Sequence, residues 1–184
     1  MSLPNDWEVL YKNTQGPEPG EDKRLSAWFV SKEYAGSSKD ICVKIMDESN
    51  DVSEYTGGAY LGFSMIRIPE MYYIMAECDP DPQSSAEILD MVRFKRGIAS
   101  SDATDGGKGY DEPDTREGFD SGHTRRINEV MREYLKEYYG EGQLFYFYKR
   151  HNYVTFANCS LVDVRTKYQF PLPENEDMFG ITGK

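Results

Sequence analysis

The spacing of apolar residues between positions 64 and 97 predicts two consecutive helices. In the first, apolar side chains recur at the i, i+3, i+4 and i+7 positions that share one helix face. The residues that keep this spacing are Ile68, Met71, Tyr72 and Met75. Cys78 lies on the apolar side of this helix, and we expect its free thiol to be buried. Residues 79–82, Asp-Pro-Asp-Pro, end the helix, because proline lacks a backbone donor and blocks the preceding turn.

The second helix of this pair begins directly after the break. Asp81 is a good N-cap, and Pro82 suits the first helical position, where a missing N–H costs little. Gly97 supplies the residue that follows a helix C-terminus. Two helices joined by so short a turn predict an antiparallel helical hairpin over residues 64–97.

Residues 124–150 carry the most regular helical pattern in the chain. Thr124 can cap the first helix, and the segment 139–142 with its two glycines interrupts it. The apolar residues at helical spacing are Ile127, Val130, Met131, Tyr134, Leu135 and Tyr138. Residues 143–150 predict a further helix that is apolar nearly all round and therefore buried. We expect the helices of 64–97 and 124–150 to pack against each other.

The remaining segments lack a sustained period. Residues 1–60 are an irregular lead-in, apart from a strand-like run at 41–46, and residues 151–184 are an irregular tail. Residues 99–123 form a loop rich in Gly, Asp, Ser and Pro, and so long a loop is usually functional or disordered. The sequence therefore predicts one mostly α domain over residues 1–184, with helical hairpins and long irregular loops.

The charge of the chain restricts its partners. A formal net charge of -11 repels nucleic-acid backbones and anionic lipid surfaces, so neither is an expected partner. No run of 18 apolar residues is present, and no transmembrane helix is predicted. The three cysteines have no close pair, which argues against both a disulfide framework and a zinc knuckle.

The sequence does not support catalysis, a cofactor or a bound metal. The two histidines are His123, which follows a glycine in a loop, and His151, at a helix end where a dipole interaction is favoured. Metal-binding spacings such as H-E-x-x-H and C-x-x-C are absent. The aspartates at 102–114 leave calcium as an alternative, although the EF-hand spacing is missing.

Four segments together resemble the SusD/RagB family. Residues 67–77, RIPEMYYIMAE, resemble the family's R-x-x-E-x-x-L-x-x-A-E helix, and residues 88–97 look like its L-N-x-[IV]-R-x-R-x-G helix. Residues 132–150 are similar to its E-R-x-x-E-L-x-x-E-G-x-R-x-x-D-L-x-R element, with Leu144 and Phe147 standing near the usual Arg and Asp. Residues 168–175 look like its closing P-[IL]-P-x-x-E segment.

This resemblance implies a cell-surface function. Family members are outer-membrane lipoproteins of Bacteroidetes that capture glycans or other nutrients without chemistry and deliver them to a SusC-like TonB-dependent transporter. They are larger, with tetratricopeptide-like helices, so the resemblance implies the C-terminal part of that α fold or a short relative. The membrane would be reached only through a lipid anchor that none of the three cysteines here provides.

Two groups of residues are candidates for the site. The family-like charges are expected to form a structural network of ion pairs; they are Arg67, Glu70, Glu77, Glu137, Glu141 and Arg150. For an oligosaccharide, aromatic rings in loops are the better candidates, because sugar C–H faces lie on flat rings. These rings are Trp28, Tyr55, Tyr60 and Tyr110.

Two other functions remain open at this point. A helical scaffold that binds other proteins would use the same helices and need no sugar. A fragment of a glycan hydrolase would need two carboxylates about 5–10 Å apart across a cleft. With 32 acidic residues some pair meets that distance by chance, so the abundance of acids does not favour it.

Overall fold

The computed structural model describes residues 10–11, 22–44, 66–98, 105–117, 119–156 and 159–169. Its contacts divide the chain into two compact units, Met1–Leu144 and Phe145–Lys184. Within the described ranges the chain is about half helical with one small two-stranded sheet, which is consistent with the predicted mostly α class. None of the helices in those ranges is long and apolar enough to cross a membrane.

The described elements are five helices and two strands. In chain order they are α1 (Lys23–Trp28), β1 (Phe29–Tyr34), β2 (Ser37–Cys42), α2 (Ile68–Cys78), α3 (Pro82–Lys95), α4 (Arg125–Glu137) and α5 (Gln143–Arg150). Short 3-10 turns lie at Asp105–Gly107 and Arg165–Lys167.

The helical hairpin predicted between 64 and 97 is confirmed as α2 and α3. The Asp81 carboxylate accepts hydrogen bonds from the backbone N–H groups of Gln83 and Ser84, at 3.2 and 3.3 Å, and so caps α3. At the other end Gly97 has a φ of 92°, and the following N–H of Ile98 donates to the carbonyl of Arg93. This left-handed glycine is the predicted stop of the helix.

The inward side of α2 differs from the expectation. Tyr73 and Ala76 are buried, and the Ser85 hydroxyl of α3 donates to the Ala76 carbonyl at 2.6 Å. Ile68, from the spacing that marked the helix, is 73% exposed, and the prediction of a buried Cys78 is wrong because this residue is exposed. Since α2 is apolar on nearly every side, its period alone does not identify the buried face.

A β-hairpin lies within the lead-in that was expected to be irregular. Strands β1 and β2 pair antiparallel, with Phe29 opposite Cys42 and Tyr34 opposite Ser37. The two residues between them, Ala35 and Gly36, have φ values of 50° and 78°. Positive φ at both central positions is the backbone of the tight turn that suits twisted hairpins. The lead-in prediction is wrong here.

Helix α4 is buried on more than one side. Thr124 caps it as predicted, since its hydroxyl accepts from the N–H of Ile127 at 3.4 Å. Tyr134 packs on Tyr73 of α2 and on Tyr138, with ring centroids 5.3 and 5.1 Å apart. The predicted packing of the two helical regions is therefore present through an aromatic cluster.

The described part of the 99–123 loop packs on the ends of helices. Gly107 has a φ of 79°, and an added Cβ there would lie 2.2 Å from the carbonyl oxygen of Pro82. The N–H of Arg126 donates to the Tyr110 carbonyl at 2.9 Å, and the N–H of Asp114 donates to the His123 carbonyl. These bonds fix the loop against the start of α4.

The second unit has its own aromatic cluster. Tyr148 packs edge-on against Tyr153 and stacks on Phe156, with ring centroids 5.2 and 4.7 Å apart. The Tyr168 hydroxyl donates to the Tyr153 carbonyl at 2.9 Å. Helix α5 is not buried all round as expected, because Tyr146 is 68% exposed.

Candidate functional site

A row of glutamates on and beyond α4 organises the polar interior of the first unit. Glu129, Glu133 and Glu137 follow one another at intervals of four, which places them on one helix face, and Glu141 lies just past the helix end. We call these four residues the acid row. The first three are buried, which carboxylates tolerate only when cations and hydrogen-bond donors surround them.

Arg24 of α1 binds the middle of the acid row. Its guanidinium donates to Glu133 at 2.9 Å and to Glu137 at 3.2 Å. It also makes a two-pronged contact with the Asp22 carboxylate, at 2.9 and 2.6 Å. Asp22 in turn caps α1 by accepting from the Arg24 N–H. A single buried arginine thus connects α1 to α4.

Arg93 of α3 binds the first half of the row. It donates to Glu129 at 2.6 Å and to Glu133 at 2.9 Å. The Glu129 carboxylate also accepts from Arg116 of the loop, at 2.5 Å. Arg116 holds Asp114 in a two-pronged pair at 2.9 and 2.7 Å. The acid row therefore anchors the loop as well as α3.

Cations from two further segments and from the end of α3 bind the far end of the row. Arg67, directly before α2, donates to Glu137 at 3.1 Å and to Glu141 at 3.0 Å. Arg96, at the end of α3, donates to both oxygens of Glu137 at 2.9 and 3.2 Å. The ammonium group of Lys44 donates to Glu141. We call the acid row with all these partners the charge network.

The pKa values in the charge network follow from its paired charges. Burial by itself would raise the pKa of Glu133, but Lys136, Arg24 and Arg93 more than offset it and hold that pKa well below its usual range. Burial disfavours the charged form of Arg93, yet Glu133 and Glu129 raise the arginine's pKa above its ordinary value. For Lys136 burial prevails, and its pKa is lowered in spite of Glu133.

The structure brings together three of the six charges that the family resemblance marked. Arg67, Glu137 and Glu141 meet in the charge network. Glu70 and Glu77 are half-buried on α2, whereas the acid row lies on and beyond α4. Arg150 belongs to the second unit, where its guanidinium lies over the Phe147 ring. The larger part of the network, including Arg24, Arg93 and Glu133, was missed. Its one local signal was the four-residue spacing of the glutamates on α4.

The four predicted ligand rings differ in their accessibility. Tyr110 is fully buried at the start of α4, so this ring does not meet a ligand at the surface and the prediction for it fails. Trp28 is half-buried at the end of α1, with the ammonium group of Lys44 4.1 Å from its ring centroid. Tyr55 and Tyr60 lie outside the described residues.

A groove of about 300 Å³ lies between α2 and α3. Its apolar walls come from both helices, and Lys95 and Arg96 stand at its edge. The apolar lining residues are Ile68, Pro69, Tyr72, Met91 and Val92. Pockets of this size with a largely apolar lining are typical of the small end of ligand or side-chain binding sites. No sequence motif had indicated this groove.

The described residues show no arrangement suited to a metal ion. No group of three His, Cys, Asp or Glu side chains within them is placed to bind one. In the aspartate-rich loop, Asp114 is paired with Arg116, and Asp111 is paired with Arg126. His123 contacts Asp120 at 2.9 Å through Nδ1.

Comparison with known proteins adds no relative. No family model matches the chain, and neither a curated protein nor a solved structure matches it.

Proposed function

We propose that the chain is a non-catalytic nutrient-binding component of a bacterial cell surface, of the SusD/RagB kind. In this proposal it binds an oligosaccharide or a related nutrient at the outer membrane and passes it to a TonB-dependent transporter. The full-length protein would be held at the membrane by a lipid anchor, and no bond in the ligand would be broken.

One observation carries the proposal. The segments that resemble the family are separate in the sequence, and charges from three of them meet in the charge network. Arg67 belongs to the first segment, Arg93 and Arg96 to the second, and Glu137 and Glu141 to the third. If the three segments resembled the family by chance, their charges would not be expected to meet in one set of buried ion pairs. That they do meet supports the resemblance.

The state of these charges supports binding without catalysis. A glycoside hydrolase needs an acid whose pKa is raised, facing a second carboxylate across an open cleft. The carboxylates of Glu129 and Glu133 are buried, each is shared between arginines, and their pKa values are lowered. Such groups stabilise the packing of helices and are poor proton donors near neutral pH.

Calorimetric titration of the 184-residue chain against a panel of neutral and acidic oligosaccharides tests the proposal. We expect saturable binding to at least one of them and no release of reducing ends. Trp28→Leu should weaken that binding at least tenfold, because leucine keeps an apolar side chain but removes the flat ring. Tyr146→Leu, which removes an exposed ring from the second unit, is the matched control.

Two outcomes would count against this function. Absence of binding across the whole panel would contradict nutrient capture by this chain. Appearance of new reducing ends from a polysaccharide would replace it with the hydrolase alternative. Equal losses of oligosaccharide affinity in the Trp28 and Tyr146 variants would mean that the ligand does not contact Trp28.

A protein-binding scaffold is the second candidate, and one observation favours it. Helix α2 exposes Ile68, Met71 and Met75 to solvent, although apolar side chains in such a group are usually covered. A scaffold would bind a protein there and no sugar. The titration separates the two, since a scaffold gives no heat with any oligosaccharide.

A further inference from the structure

The solvent side of α2 is apolar throughout. Five residues occupy it: Ile68, Met71, Ile74, Met75 and Cys78. At 100° per residue they fall within an arc of about 120°, and no charged residue of the helix interrupts that arc. We call this set the α2 face. Ile68 is 73%, Met75 52% and Met71 44% exposed, so the face is open along the helix.

An open face of this kind is unusual for a helix at the surface of a protein. A surface helix normally presents polar residues outward, and a helix that is apolar all round is normally buried. The other side of α2 already packs on α3 and α4 through Ala76 and Tyr73. The α2 face therefore has the composition of an interior surface, and none of the described helices of the first unit covers it.

The size of this surface suits an interface between two proteins. Met91 of α3 extends it across the groove, which shares Ile68 with the α2 face. Five large side chains at about half exposure, together with Cys78, offer on the order of 500 Å² of apolar surface, against roughly 800 Å² that each partner contributes to a standard interface. A polar rim supplies the remainder of such an interface. Methionine side chains adapt readily to an opposing surface.

We propose that the α2 face binds the α2 face of a second copy of this chain, with the two helices parallel about a two-fold axis. A chain with a net charge of -11 repels its own copies over most of its surface, so self-association requires a region free of charge. The α2 face is such a region. A two-fold interface uses the same patch on both subunits, which an uncharged apolar stripe satisfies without mismatch.

The charges beside the face decide the direction of the two helices. Glu70 borders it on one side, and Lys95 lies beyond the groove on the other side, where α3 runs antiparallel to α2. Both residues are therefore near the N-terminal end of α2. In a parallel pair, the Glu70 side of one α2 face meets the Lys95 side of the other, and corresponding residues lie at the same level along the two helices. Glu70 of each copy therefore faces Lys95 of the other. An antiparallel pair would bring acidic borders together, because Glu77 lies on the same side as Glu70.

Analytical ultracentrifugation of the 184-residue chain over a concentration series tests the proposal. We expect a monomer–dimer equilibrium whose dissociation constant rises at least tenfold in Met71→Lys, with unchanged helical circular dichroism because this side chain is exposed. Val162→Lys is the control, since Val162 is an exposed apolar residue of the second unit. A chain that stays monomeric at every concentration overturns the proposal, and so does a dimer that both variants weaken equally.

Two further measurements test the direction. Glu70→Lys and Lys95→Glu should each weaken the dimer, and the double variant should restore it. In a parallel pair the exposed Cys78 residues lie at equal height, so copper–phenanthroline and oxygen should oxidise the two thiols to one disulfide between copies, lost in Cys78→Ser. Two results contradict the parallel arrangement. In one, the double variant loses as much dimer stability as the two single variants together. In the other, the dimer forms no Cys78 cross-link.

Both measurements are independent of nutrient binding. A chain that binds an oligosaccharide as a monomer refutes the dimer and leaves the proposed function intact. A chain that dimerises but binds no oligosaccharide refutes the proposed function and leaves the dimer intact.

Discussion

Replacing Glu133 by glutamine removes the central carboxylate of the charge network while keeping the shape of the side chain. Glu133 is fully buried and accepts from Arg24 and Arg93, each at 2.9 Å, and from Lys136 at 3.3 Å. In Glu133→Gln these three cations stay in the interior with one negative charge fewer. The amide also carries N–H donors, and these face the donor groups of Arg24, Arg93 and Lys136, which need acceptors.

The magnitude follows from the cost of an unpaired buried charge. Removing one partner of a buried ion pair costs about 3–5 kcal/mol, because the remaining charge is neither paired nor hydrated. Glu133 is shared between cations that keep other partners, such as Asp22 for Arg24, so we expect the lower half of that range. At roughly 2–4 °C per kcal/mol for a chain of this size, the melting temperature should fall by roughly 6–16 °C.

Urea unfolding followed by far-ultraviolet circular dichroism measures this loss. Glu87→Gln is the matched control, because Glu87 is an exposed glutamate of α3 whose carboxylate accepts from Gln83 of its own helix, at 3.0 Å. Surface changes of this kind usually stay within about 0.5 kcal/mol. The urea dependence of the free energy of unfolding should be the same in both variants, which makes the two losses comparable.

A loss in Glu133→Gln as small as that in Glu87→Gln would refute this reasoning. It would mean that the arginines are satisfied without the central carboxylate, and that the acid row does not hold the helices of the first unit together. A variant that is unfolded in the absence of urea would show a larger contribution than the estimate.

Three other changes test separate parts of the structure. Glu141→Ala removes an acceptor of the partly exposed Arg67 and should lower the free energy of unfolding by about 1–3 kcal/mol in thermal melts; unchanged melting with lost oligosaccharide binding would instead make Glu141 a ligand contact. Gly107→Ala should cost at least about 1–3 kcal/mol in urea unfolding and more than Gly106→Ala, because only the first brings a Cβ to 2.2 Å from a Pro82 carbonyl; equal losses would contradict the close approach. The pKa of Glu133 is lowered in the folded chain, so the unfolded chain binds the proton first as the pH falls below about 4.5. Below that pH this group should decrease the free energy of unfolding by up to about 1.4 kcal/mol per pH unit. Thermal melts at acid pH should show a shallower decrease for Glu133→Gln, and parallel curves for the two proteins would refute this role of Glu133.

The helices were predictable because their signals are local. Asp81, Pro82 and Gly97 mark the ends of α3 through the backbone groups that each residue supplies or lacks, and these effects need no distant partner. The β-hairpin was missed for the opposite reason. Its turn, Ala35-Gly36, is not among the residue pairs that strongly favour two positive φ values, and strands 29–34 and 37–42 carry charged and polar residues that weaken an alternating pattern.

The charge network was only partly predictable because its partners are distant in the sequence. The resemblance placed Arg67, Glu137 and Glu141 in a structural network, and they do meet, but Arg24 reaches Glu137 across 113 positions. No local pattern distinguishes this arginine from one that points into water. The same holds for the ligand rings, since a tyrosine such as Tyr110 in a polar loop is buried only when the loop folds back on α4.

The sequence by itself determined where α2 ends, where α3 begins and ends, and where α4 begins, since capping and proline geometry act within a few residues. Only the tertiary structure decided which side of α2 is covered. Because α2 is apolar on nearly every side, more than one of its faces could be buried, and the contact of Ala76 with Ser85 of α3 places one of them inside. The tertiary structure also decided which arginine pairs with which glutamate, because a buried charge takes its partner from whatever packing brings within hydrogen-bond distance.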